Sequence, residues 1–171
     1  MGNFKILDDH TLSLIEERLA KPNKTIKEHI DDLLDNLEIL SKLGYIQKGR
    51  IYDLVKMACI YHDLGKLNEE FQKRVKGKNI KFKEDKEVVH NVLSLYFINS
   101  SSFENKNDYL KVAHAVLNHH NYCNVFDEIN NKEESIGKLL EGFNTYKFKR
   151  STKNKLADEV LINDSESIKI K

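Results

Sequence analysis

A histidine and an aspartate stand side by side in the segment His62-Asp63-Leu64-Gly65-Lys66, at the expected end of an amphipathic helix. Neutral imidazole and carboxylate together bind borderline divalent metals well. Ions held this way can activate water against a phosphorus centre. Further imidazoles come at His29 upstream and at His90, His114, His119 and His120 downstream, with His10 completing the seven. Neighbouring residues in a helix do not share a face, so His62 and Asp63 can serve one cleft only where the backbone tightens or unwinds. The pair His119-His120 falls at a second expected helix end, where the same freedom applies.

Each candidate also has a plain structural reading. An isolated His-Asp dipeptide arises readily by chance or from core packing. The combination of His29, His62-Asp63, His90 and His119-His120 is far more specific to metal binding. His29 follows a helix start, where positive charge is disfavoured, and the neutral ring is the form that ligates. His90 lies on an otherwise apolar helical face, where a bare core histidine would need a hydrogen-bond partner. His10 and His114 fall outside the set and read as surface or core histidines. Lys66 can neutralise phosphate charge beside a metal cleft, or pair with Asp63 or another acid. Ser94, one turn after His90, can donate to a ligand or phosphate, or bond its own backbone.

The elements that would position these groups are helical. Thr25 and Glu28 form a capping box, followed by Ile30, Leu33, Leu34, Leu37 and Leu40 at helical spacing, with Gly44 as the stop. A second helix begins near Ile51 or Asp53, carries Leu54, Val55, Ala58 and Tyr61 inward, and ends at Gly65. A short helix from Asn68 closes at Gly77. The pattern predicts a longer helix over 87–99, and another from Asp108 as its cap to the vicinity of His119-His120. Shorter helices are expected over 133–141 and 153–162. With one proline, no Pro/Gly/Ser linker and no repeat, the expectation is all-α: a single helical bundle with histidines meeting at one end.

The 171 residues suffice for one domain with a core, and 40% hydrophobic with 32% charged is ordinary for a globular protein. No apolar run is long enough to cross a bilayer, and no signal segment follows Met1, so a cytoplasmic location is expected. Cys59 and Cys123 give neither a disulfide framework nor zinc-finger spacing. No glycine-rich phosphate loop appears. Net charge is +1, but basic residues gather in two runs, Lys73 to Lys86 and Lys147 to Lys155. Such runs can hold a phosphate backbone or be solvated loop lysines. Tyr61, Phe71, Phe82 and Tyr122 are possible base-stacking residues, with core packing the stronger reading for Tyr61 and Phe71.

Together His29, Ile60-Tyr61-His62-Asp63-Leu64-Gly65-Lys66, His90 with Ser94, and Leu117-Asn118-His119-His120 resemble the HD superfamily of phosphohydrolases. The double histidine and the lysine narrow the resemblance to the HD nuclease domain of the type I CRISPR-associated nuclease-helicase. It spans roughly residues 25 to 125. The resemblance implies an HD-type helical bundle. It implies that His29, His62 and Asp63 serve one metal and His90, His119 and His120 a second, with Asp63 bridging. Lys66 and Ser94 match positions near the family's cleft, and Asp63 and Lys66 are the residues assigned to catalysis.

It further implies cleavage of single-stranded DNA, working with a helicase domain or subunit and the CRISPR effector complex. The chain would be a monomeric HD unit over 1–171, or such a unit within a longer chain ending in a helicase. The ligands favour manganese, nickel, cobalt, iron or zinc, as one or two ions, over magnesium. The family's late aspartate matches only Asp158 or Asp164, or lies beyond Lys171. Two other readings stay open: an HD phosphohydrolase acting on small or cyclic nucleotides, and a non-catalytic helical interaction module.

Overall fold

The computed structural model describes residues 6–77, 88–120 and 132–146. Asp8 caps the first helix by accepting from the Thr11 N–H at 2.9 Å, and α1 runs Asp9–Glu17. A small antiparallel hairpin follows, β1 (Leu19–Lys21) against β2 (Lys24–Thr25), turned by Pro22 and by Asn23 at φ 61°. Neither α1 nor the hairpin was expected from the sequence; two strands this short leave the protein predominantly helical.

Thr25 ends β2 and caps α2 (Ile26–Lys42) in the expected box. Glu28 N–H donates to its Oγ1 at 3.1 Å and Thr25 N–H donates to Glu28 Oε2 at 2.7 Å. The helix stops at Gly44 (φ 81°), whose N–H donates to Ser41 O while Tyr45 N–H reaches back to Leu40 O. This paired return satisfies the last carbonyls and needs a left-handed residue, which glycine supplies without strain. Ile26, Ile30, Leu34 and Leu37 bury the inner face, whereas Leu40 from the predicted stripe is exposed.

Next come α3 (Arg50–Tyr61) and a 3-10 segment over Leu64–Leu67. Then follow α4 (Glu69–Val75), capped by Asn68, and α5 (His90–Ser94), continued as a 3-10 turn over Leu95–Phe97. The helix predicted over 87–99 is therefore much shorter. Ser94 Oγ reaches its own helix at His90 O, which competes with backbone pairing. The chain tightens after Ser94 and turns extended at Ile98.

The last two helices are α6 (Lys106–Asn118) and α7 (Glu133–Leu139). The cap of α6 is Asn105, which accepts from Asp108 N–H at 3.0 Å, and not Asp108 as expected. The Asp108 carboxylate is otherwise engaged: Arg50 at the start of α3 donates to it from Nε at 2.9 and 3.1 Å and stands 2.9 Å away through Nη2. That planar ion pair ties the starts of α3 and α6, which pack side by side. The core between the elements holds Ile15, Ile30, Ile60, Tyr61, Leu93 and Leu117. Tyr61 is fully buried there, which removes it as a stacking residue. No helix among the described residues is long and apolar enough to cross a membrane.

Candidate metal centre

Two helix starts and two helix ends converge. His29 sits in the first turn of α2. The α3 helix stops at Tyr61, leaving His62 still in helical geometry and Asp63 at φ −110°, ψ 7°, so their side chains diverge from helical directions and meet at one place. His90 is the first residue of α5, and His119 and His120 follow the last turn of α6. His10 and His114 are exposed and away from the cluster.

Asp63 is the hub, with only 1% of its surface exposed. Its Oδ2 lies 3.3 Å from His29 Nε2, 3.3 Å from His62 Nε2 and 2.7 Å from Lys66 Nζ. Its Oδ1 lies 3.2 Å from His90 Nε2 and 3.6 Å from His119 Nε2. One potential ligand atom from each of Asp63, His90, His119 and His120 falls within 4.8 Å of the others, and the same holds for His29, His62 and Asp63. One carboxylate is thus common to two sets that can hold a divalent ion.

The tautomers sharpen this fit. His62 Nδ1 lies 2.7 Å from Cys59 O and His119 Nδ1 lies 2.6 Å from Val116 O. A carbonyl only accepts, so each Nδ1 carries the proton. In the neutral ring Nε2 is then a bare lone pair aimed at a carboxylate. Backbone-oriented imidazoles of this kind are the usual arrangement around metals. Asp63 Oδ1 is buried and receives no well-directed hydrogen bond. Lone pairs facing a buried carboxylate oxygen repel unless a cation lies between them, so these residues fit divalent ions.

The charges agree. Burial alone would raise the Asp63 carboxyl, but the polar surroundings, the His119, His62 and His90 rings above all, outweigh it and hold the group far below the ordinary carboxylate range. Burial lowers His29, and Asp63 only partly offsets it. His90 is lowered by burial against the same carboxylate, and His120 by burial and then by the neighbouring His119 and His90. An anionic aspartate beside His29, His90 and His120 biased toward the neutral form fits the protonation pattern that metals need.

The segment after Asp63 is clamped from several sides. Ser94, fully buried, accepts from Gly65 N–H at 2.8 Å and lies 2.8 Å from His62 O and 2.9 Å from His90 O as a donor. It therefore staples the turn to α5, and its bond to His90 O is the backbone bonding that was one of the two readings open to this residue. Gln72 donates to Lys66 O and Leu19 O and accepts from Leu19 N–H; Asn68 donates to Gly65 O; Arg18 donates to Leu67 O. Asn91, fully buried beside His90, donates to Leu117 O and so ties α5 to the end of α6 that carries His119. Spacing in the sequence did not flag Gln72 or Asn91; a buried amide announces itself only once its partners are known. Ser94→Ala leaves Gly65 N–H buried without an acceptor. It should cost about 2 kcal/mol in urea unfolding. A loss below about 0.5 kcal/mol would deny the staple.

Lys66 also stands 5.5 Å from the centre of the Phe71 ring, and that half-buried ring lies 6.1 Å from His90's. Among the basic run, Lys73, Arg74 and Lys76 are described and exposed. Its remaining lysines, the run over 147–155, Phe82, Tyr122, Cys123, Asp158, Asp164 and the helix expected over 153–162 lie outside the described residues. A cavity of about 570 Å³ opens beside the centre, lined by His29, His62, Asp63, Lys66, His119 and His120 and by aliphatic walls from α2, α3 and α6.

The family model described as "Cas3, HD domain" matches residues 14–163. No curated protein and no solved structure matches the chain. A helical frame, two metal-capable groups sharing Asp63, and a match over most of the sequence lead to one assignment: the chain belongs to the family of Cas3 HD domains and has the metal-binding architecture of HD hydrolases.

Proposed function

We propose that this chain is a metal-dependent nuclease that hydrolyses phosphodiester bonds of single-stranded DNA in CRISPR interference. The observation that carries the reading is Asp63, whose two oxygens face separate imidazole sets across a distance that one ion per set would bridge. His29 and His62 would hold one ion, His90, His119 and His120 the other, and Asp63 both. Divalent ions bound there would act as Lewis acids on a phosphoryl oxygen and lower the pKa of water. The chain's own part is to hold its ligands in a fixed frame around the buried Asp63. Lys66, lining the cavity with its ammonium 2.7 Å from Asp63 Oδ2, adds positive charge where negative charge grows on the phosphate. Five imidazoles and one carboxylate suit manganese, iron, cobalt, nickel or zinc better than magnesium, which prefers oxygen.

In this reading residues 1–171 act as one HD unit. A helicase domain or subunit and a CRISPR effector complex would deliver the unpaired strand. The test is direct. Chelated protein titrated with Mn²⁺ should take up two ions per chain by calorimetry and cut a labelled single-stranded oligonucleotide far faster than its duplex. Phosphate release confined to mononucleotides or cyclic nucleotides, with the oligonucleotide left whole, would replace the nuclease with a small-nucleotide hydrolase.

A further inference from the structure

The cavity beside the centre has two unlike parts. At one end stand the imidazoles, Asp63 and Lys66. The remaining wall is aliphatic, built from Leu33 on α2, Leu54, Val55 and Ala58 on α3, and Ala115 on α6, with the Lys111 ammonium as a second cation. Its volume of about 570 Å³ lies within the ~300–1,000 Å³ typical of sites for small organic ligands. A ligand that satisfies both parts carries an anionic group at one end and a flat apolar body at the other.

We propose that this aliphatic chamber is a base-binding subsite, which takes the nucleobase next to the scissile phosphate out of the strand. The inference rests on the nuclease reading and deepens it. A phosphodiester placed at the centre puts its neighbouring base within reach of the chamber, and Lys66 and Lys111 match the charge of the phosphates on either side. Apart from the Cys59 thiol and the Lys111 ammonium, the chamber wall offers no side-chain group to read a base edge. Binding there is by exclusion of water, and all bases qualify. A paired base cannot enter without leaving its duplex, at an unpairing cost that a single strand does not bear. The chamber thus makes the centre selective for unpaired strands and indifferent to their sequence.

Ala115 is exposed on α6 at the chamber's wall, so a larger side chain there can enter the chamber without disturbing the core. The test uses the whole chain with Mn²⁺ and oligothymidylate strands carrying one 2-aminopurine. Fluorescence of that base should change on binding at one position of the strand only. Ala115→Phe should abolish the change and weaken binding roughly tenfold, the size of one lost base contact, with Mn²⁺ uptake unaltered. Replacing that single nucleotide by an abasic one should weaken binding to parent protein by a similar factor. Cleavage with no aminopurine response, or with abasic and Ala115→Phe binding unchanged, would overturn the chamber and leave the nuclease standing. A position-specific response lost in Ala115→Phe, without cleavage of any strand, would support the chamber and remove the nuclease.

Discussion

Asp63→Asn should abolish metal-dependent stabilisation and lower strand cleavage by about three orders of magnitude, or ~4 kcal/mol of transition-state stabilisation. The variant separates a ligand from a structural anchor. An amide has the shape of the carboxylate but neither its charge nor its capacity to bridge cations. In the metal-free variant the amide oxygen can still accept from Lys66. The amide NH₂, in the place of Oδ1, can donate to a Nε2 lone pair that in the parent faces an anion, such as that of His119 at 3.6 Å. The loss of the buried ion pair to Lys66 is therefore partly offset, and the metal-free melting temperature should move by only a few degrees. With Mn²⁺ the parent should gain about 3 kcal/mol or more at a hundredfold excess over Kd, and the variant almost nothing. An Asp63→Asn protein that still melts higher with Mn²⁺ would show that the carboxylate is not the shared ligand.

Much of this centre was legible because ligating side chains are conspicuous as residue types. Five histidines and one aspartate mark the cluster, and the sequence also marks the helix ends that let adjacent residues diverge. The Thr25–Glu28 box and the Gly44 stop were equally readable, since both are local chemistry that a few consecutive residues decide. What escaped depends on distant partners. Asp108 looks like an N-cap, but Arg50, 58 residues away, claims its carboxylate and leaves the cap to Asn105. The stretch around Val88 to Ile98 has the apolar content of a long helix. Ser94 interrupts it, and only the contact with the His62 turn explains where that hydroxyl goes. Hairpin residues Leu19–Thr25 give too short a pattern to separate strand from loop; Gln72 holds the strand by bonding both Leu19 backbone groups.

Gly65 carries the same lesson further, because its importance reads from the sequence as a helix stop and from the structure as a steric necessity. The helix has already ended at Tyr61, and Gly65 lies inside the 3-10 turn. A Cβ built there would stand 1.9 Å from His90 O, 2.8 Å from His90 C and 2.9 Å from Leu93 Cβ. The first two are backbone atoms, so no rotamer change relieves the clash. Either the turn or α5 must shift by roughly an ångström, breaking the Ser94 staple and carrying His90 away from Asp63. Gly65→Ala should therefore cost about 3 kcal/mol or more in unfolding experiments, at the upper end of overpacking effects. The damage should also be uneven. His29, His62 and Asp63 do not ride on α5, whereas the second group includes His90, so calorimetry at low temperature should find one Mn²⁺ per folded chain in place of two. Gly137→Ala is the matched control. It lies in α7 with nothing within 4 Å of the added methyl, and alanine is the better helix former by up to ~1 kcal/mol. It should keep both ions and gain slight stability. Two ions and parental stability in Gly65→Ala would mean that the close approach of the turn to α5 is not what places His90.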